Sequence, residues 1–162
     1  MPKRDRTPLH DIHRTPSARF TTTPWDAEGI ATLEASGSDV RSALEAGLRA
    51  VLKISTDGEP DVAASDRSAP LQGEGGDLAE LFLDLVEDFF DQMAFSPFAY
   101  QDVVIDGVLR RDGGGYVAWG FAAESTAPPP RTELPYVQSM PTVESRLDGI
   151  AFRASLARGV SF

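Results

Sequence analysis

Asp26 and Glu28 stand two residues apart at the head of a stretch that reads as a β-strand. On a strand, that spacing turns both carboxylates to one face. Oxygen ligands of this kind suit a hard divalent cation such as Mg²⁺, Ca²⁺ or Mn²⁺. Two carboxylates need a third group to make a tight site, and a solvated strand entrance is the competing reading. A second constellation is Asp84, Glu87, Asp88 and Asp91, spaced i, i+3, i+4 and i+7. On a helix these four share one face. That face reads either as the solvated side of an amphipathic helix or as a stripe that docks a basic protein partner.

The missing residue types bound the remaining chemistry. The chain has no cysteine, and both of its histidines, His10 and His13, precede residue 25. Thiolate nucleophiles, disulfides, Cys- or His-ligated zinc and Ser–His pairs are therefore excluded from residues 25–162. Carboxylates, arginines, hydroxyls and tyrosines remain. No serine has a plausible base partner, and no carboxylate pair has the spacing of a hydrolase, so the expectation is a protein that is not an enzyme. Asp112 and its three glycines lack the lysine and following helix of a phosphate loop, so they read as a turn. Trp119 and Tyr116 read as packing residues rather than ligand platforms.

Charge is spread unevenly. Residues 1–24 hold five basic and two acidic groups, a net +3, so the −10 of the whole chain leaves −13 on the remainder. An acidic body repels nucleic acid and favours a basic protein partner or a divalent cation. Residues 1–24 are rich in Pro, Thr, Arg and Ser and read as a disordered basic leader. No secretory signal and no apolar run of membrane-spanning length is visible, so a cytoplasmic location without membrane contact is expected. The length of 162 residues and the 41% apolar content suit one domain, residues 25–162, with one core.

The elements that must position these residues follow from periodicity. Residues 25–36 alternate as a strand that ends at Gly37. Ser38 or Asp39 caps a helix that runs to about Ile54, with Val40, Leu44, Leu48 and Val51 on one face. Gly47, in the middle of that helix, marks close packing against a sheet. Residues 57–60 read as a loop. Residues 61–72 read as an irregular strand, with Pro70 placing part of it at an edge, and residues 73–76 as a turn. Asp77 and Glu80 form a capping box for a second helix reaching Met93, whose stripe includes Leu81, Phe82, Leu85, Val86 and Phe89. From Tyr100 the period becomes two. A strand over 101–111 with a bulge at Gly107, a partner over 116–123, shorter strands over 132–138 and 142–146, and a last strand over 150–156 complete the chain.

This order, with particular strings, resembles the archease family. The strings are Gly37-Ser38-Asp39-Val40, the run from Gln72 to Leu81, the phenylalanines Phe89, Phe90 and Phe95, then Ile105-Asp106-Gly107 and Ala118-Trp119-Gly120. The resemblance spans roughly Trp25 to Ala157. It implies an α+β fold with two helices packed on a mostly antiparallel sheet. It also implies a non-catalytic accessory protein of a GTP-dependent tRNA-splicing RNA ligase, with a divalent metal held by acidic residues from the first and last strands. In the family one Asp comes from a His-Thr-Ala-Asp motif. Here that histidine is absent, and Asp26 matches the Asp only with an insertion after it; otherwise Ile30 takes its place. At the end of the last strand, where the family has another Asp, this chain has Arg158. The alternative is a diverged archease-like protein-binding module without metal or ligase role. Three or more carboxylates gathered around Asp26 and Arg158 would favour the first reading, and an Arg–carboxylate pair the second.

Overall fold

The computed structural model describes residues 18–56, 64–129 and 133–158. The expected loop at residues 57–60 and most of the leader lie outside them. The elements in chain order are β1 (Arg19–Thr22), β2 (Ile30–Gly37), α1 (Val40–Thr56), β3 (Ala64–Gly75), α2 (Leu78–Phe95) and β4 (Tyr100–Arg110). They are followed by β5 (Tyr116–Ser125), β6 (Tyr136–Val137), β7 (Thr142–Arg146) and β8 (Gly149–Ala157). All strand pairings are antiparallel. They form two sheets. One has the order β1-β2-β8-β6 with β7 also on β8, and the other the order β3-β5-β4. No helix among the described residues is long and apolar enough to cross a membrane.

Both helices start where the sequence places their caps. The Asp39 carboxylate accepts the Ser42 N–H at 2.8 Å, and the Ser42 hydroxyl accepts the Asp39 N–H at 3.3 Å. The bonds from Ser42 hold the Asp39 carboxyl below its ordinary range. At α2, Asp77 accepts the Glu80 N–H at 2.9 Å. Glu80 reaches one residue further back than a standard capping box, to the Gly76 N–H at 2.7 Å.

The core lies where the helices meet the sheets. Phe82 of α2 stacks on Phe152 of β8 with ring centroids 4.9 Å apart, and both are fully buried. Gly47 of α1 faces the same ring: a Cβ there would stand 2.5 Å from Phe82 Cε1. The close approach inferred at Gly47 is thus to the second helix, not to a sheet. The bulge near Gly107 is present as a register shift between Ile105 and Gly107, and the Trp119 ring lies over that glycine.

Two expectations from local sequence change. Residues 73–76 are not a turn, because β3 continues to Gly75, with Gly73 paired to Ala118 and Gly75 to Tyr116. The glycines are there because α2 crosses the strand at close range. A Cβ at Gly73 would sit 2.8 Å from Leu85 Cγ, and one at Gly75 would sit 2.4 Å from the Leu81 main-chain nitrogen. The leader also ends earlier than expected. Arg19–Thr22 pairs with β2, and Phe20 packs against the core, which gives this segment apolar surface to bury.

Helix side chains close both edges of the β3-β5-β4 sheet. Along β3 and the residue after it, the N–H groups of Gly76, Glu74 and Gln72 donate to Glu80, Asp84 and Asp88 at 2.7, 2.8 and 2.9 Å. The carboxylates repeat every four residues, about 6 Å along a helix. The amides repeat every two, about 6.6 Å along a strand. The ladder stops at Pro70, which has no N–H to satisfy. On β4, the Glu45 carboxylate accepts the Ile105 N–H at 2.9 Å, and Arg41 donates to the Ile105 carbonyl at 2.9 Å. Open edges are templates for pairing with other chains. The Asp84→Ala/Asp88→Ala double variant should therefore lose about 2 kcal/mol, roughly 1 for each exposed bond, and should self-associate. Denaturant melts and light scattering check this. A variant that stays monomeric at unchanged stability would show that the carboxylates do not guard the edge.

Candidate functional site

Asp26 and Glu28 lie in a turn ahead of β2, not on the strand. The Asp26 carboxylate oxygen Oδ1 accepts the N–H groups of Glu28 and Ile30, each at 2.9 Å. The Asp26 N–H donates to the Ile30 carbonyl at 2.9 Å, and the Gly29 N–H donates to the Asp26 carbonyl at 3.0 Å. Gly29 takes φ +78°, a conformation that side chains disfavour and that this tight turn requires. The alternation that would have put both carboxylates on one strand face does not begin until Ile30. Asp-x-x-Gly just before a strand is a turn signature, and that signal was present in the sequence.

The structure does bring together the two chain positions that the resemblance pairs. Ile30 at the start of β2 stands opposite Ala157 at the end of β8, and the Arg158 N–H donates to the Gly29 carbonyl at 2.9 Å. At this corner the Arg158 guanidinium lies over the Trp25 ring, 4.6 Å from its centroid. The cation thus pairs with an aromatic face rather than with a carboxylate. Among the described residues, no three His, Asp or Glu side chains are grouped to hold a metal ion. The corner does not fit a divalent ion: one oxygen of Asp26 already accepts two amides, and the Arg158 cation lies over the ring of Trp25, the residue before Asp26.

The acidic stripe of α2 divides in two. Asp84 and Asp88 turn inward to the β3 edge, whereas Glu87 and Asp91 are exposed. Of the four, only Glu87 and Asp91 are fully exposed. Helical spacing put all four on one side, but it carried no information about which strand edge would lie beneath two of them.

Sequence reasoning missed two charged clusters. On α1, Arg41, Glu45 and Arg49 repeat every four residues, and Arg49 Nε donates to Asp102 Oδ1 at 2.8 Å. The i, i+4 spacing of opposite charges was a readable signal. On the outer face of the larger sheet, Arg153 is registered opposite Glu34 and hydrogen-bonds to it. Arg146 reaches Glu34 at 3.8 Å and Glu144 at 2.7 Å. The Arg153 hydrogen bond holds the Glu34 carboxyl below its usual range despite some desolvation. Residues 34 and 153 are far apart in sequence, so no local pattern announced this pair.

No family model matches the chain, and no curated protein matches it. A solved structure does. The solution structure of Methanobacterium thermoautotrophicum protein 1598 superposes with a TM-score of 0.60 at 18% identity, covering 87% of this chain and 98% of that one. Protein 1598 is an archease structure. The α+β, archease-like fold implied by the sequence resemblance is therefore the fold found, with its two helices packed on antiparallel sheets.

Proposed function

We propose that this chain is a non-catalytic, archease-like accessory module that acts by binding a protein partner, and that it does so without a metal. The observation that carries this reading is the corner between β2 and β8. Where the family would hold a cation between two carboxylates, this chain places the Arg158 cation over Trp25 and commits Asp26 to a turn. The partner class named by the family resemblance is a GTP-dependent RNA ligase. The acidic body and the exposed Glu87 and Asp91 favour a partner surface that is basic.

A melting scan tests the metal-free reading. Mg²⁺, Ca²⁺ and Mn²⁺ should each leave the midpoint unchanged beyond the general effect of ionic strength. A specific ion at 100 times its dissociation constant would add about 2.7 kcal/mol. A shift of that kind, lost in Asp26→Asn, would restore the metal-dependent reading, since Asn keeps the turn acceptor but removes the charge. Turnover of a cognate RNA ligase with and without the chain tests the partner. If the ligase neither co-purifies nor gains turnovers, the ligase role fails and only a different protein partner remains.

A further inference from the structure

The side of the β3-β5-β4 sheet turned away from α2 departs from the pattern of a solvated sheet. An antiparallel sheet packed on one side alternates apolar residues inward with polar residues outward. The larger sheet obeys this, with Thr32 opposite Ser155 and Glu34 opposite Arg153 on its outer face. β5 does not. Past Tyr116 its core side carries the small residues Ala118, Gly120 and Ala122. The large residues Val117, Trp119 and Phe121 alternate to the other side.

Register carries this patch onto both neighbouring strands. Pro70 and Val104 flank Phe121, Gln72 and Gly107 flank Trp119, and Leu109 stands opposite Val117. Trp119 packs over Gly107, as a packing residue would, but it stays 39% exposed, and Leu109 is 58% exposed. Three strands about 4.8 Å apart and three cross-strand rows about 6.8 Å apart give a footprint of roughly 300 Å². Carboxylates frame it. Glu74, Asp84 and Asp88 line the β3 edge, where Arg111 pairs with Glu74. Asp102 and the exposed Asp106 stand at the β4 edge, where Arg49 pairs with Asp102. Arg41 pairs with Glu45 and Arg67 with Glu124, and Arg110 alternates to the α2 side beside Asp77 and Leu78.

The acidic frame selects what can cover the patch. A nucleic acid or an anionic bilayer would bring negative charge against these carboxylates. A second copy would do the same, so it could use only the apolar footprint, well below the roughly 800 Å² per partner of a stable complex. A protein whose apolar patch is ringed by Lys and Arg can use the frame as well. We propose that the outer face of the β3-β5-β4 sheet docks such a basic protein partner, with Trp119 as its central anchor. Trp is among the residue types enriched at binding hot spots. This rests on the protein-partner reading above and adds where the partner binds.

The test is an amide NMR titration of the full chain with three peptides: one with a leucine face and lysines, one with the same leucines and glutamates, and one of lysine and serine alone. The first should bind saturably, with shifts centred on Val104, Leu109, Val117, Trp119 and Phe121. The glutamate peptide should not bind, and the lysine–serine peptide should bind at least about tenfold more weakly. Trp119→Ser should weaken the first peptide about thirtyfold. Leu109→Lys, at a site exposed enough to keep the fold, should weaken it about tenfold. No saturable shifts, shifts centred elsewhere, or equal binding by Leu109→Lys or by the glutamate peptide would each overturn the proposal. So would self-association of wild type that Leu109→Lys abolishes, or displacement of the peptide from this face by phosphatidylserine vesicles or an RNA oligonucleotide. A cognate RNA ligase separates the two readings. Turnovers gained equally from wild type and Leu109→Lys would overturn this face and keep the partner, whereas peptide docking here with no ligase response would keep the face and remove the ligase.

Discussion

Phe152→Ala should cost about 3–5 kcal/mol of folding stability, the range for truncating a fully buried phenylalanine. The ring is completely enclosed and stacks on Phe82 at 4.9 Å, so its removal opens a cavity between β8 and α2. The neighbours cannot collapse into that space cheaply. Phe82 is already pressed against Gly47 on its other side, and α2 is tied to β3 by Glu80, Asp84 and Asp88. Phe152→Leu keeps most of the volume and should cost less than about 1.5 kcal/mol. Denaturant unfolding of both variants measures the difference. A loss below about 1 kcal/mol for the alanine variant would mean that α2 and β8 do not share one core.

Gly37→Ala should also cost about 3 kcal/mol, although it adds a single methyl group. Gly37 ends β2 just before the cap of α1. A Cβ there would stand 2.3 Å from Ser42 Oγ and 2.5 Å from the Ala43 main-chain nitrogen. The hydroxyl could swing away only by giving up its bond to the Asp39 N–H. The main-chain nitrogen cannot move without displacing the first turn of α1. Overpacking against side chains costs about 1–3 kcal/mol, and contact with fixed backbone belongs at the upper end. The loss should be accompanied by fraying of α1, seen as faster amide exchange around Ala43. Normal stability with an unaltered exchange pattern would show that the strand-to-helix junction is slack.

These two expectations show how the sequence and the fold divide the information. The sequence was enough to locate both helices, the long strands β4 and β5, the bulge at Gly107, the first cap to Ser38 or Asp39 and the second to Asp77. Each is set within a few neighbouring residues by spacing or by capping chemistry. Gly73 and Gly75 were misread as turn residues for the same local reason. Their glycines serve close packing by α2, and nothing within the strand reports what will lie across it. Phe82 was readable as core, but that its partners would be Gly47 and Phe152 was not.

The acidic residues divide along the same line. That Asp26 and Glu28 lie close together, and that Asp84, Glu87, Asp88 and Asp91 share a helix side, followed from the sequence alone. So did the exclusion of cysteine and histidine chemistry from residues 25–162, which no folding can reverse. What each carboxylate does was decided only by tertiary structure. Asp26 closes a turn, Asp84 and Asp88 satisfy amides at the edge of β3, and Glu87 and Asp91 remain exposed. The same holds at the far end of the chain, where Arg158 finds the face of Trp25 rather than a carboxylate. The physical reason is one of range. Caps, turns and amphipathic faces are settled by residues a few positions apart, whereas hydrogen bonds and ion pairs across elements depend on which surfaces the whole chain brings within about 3–4 Å.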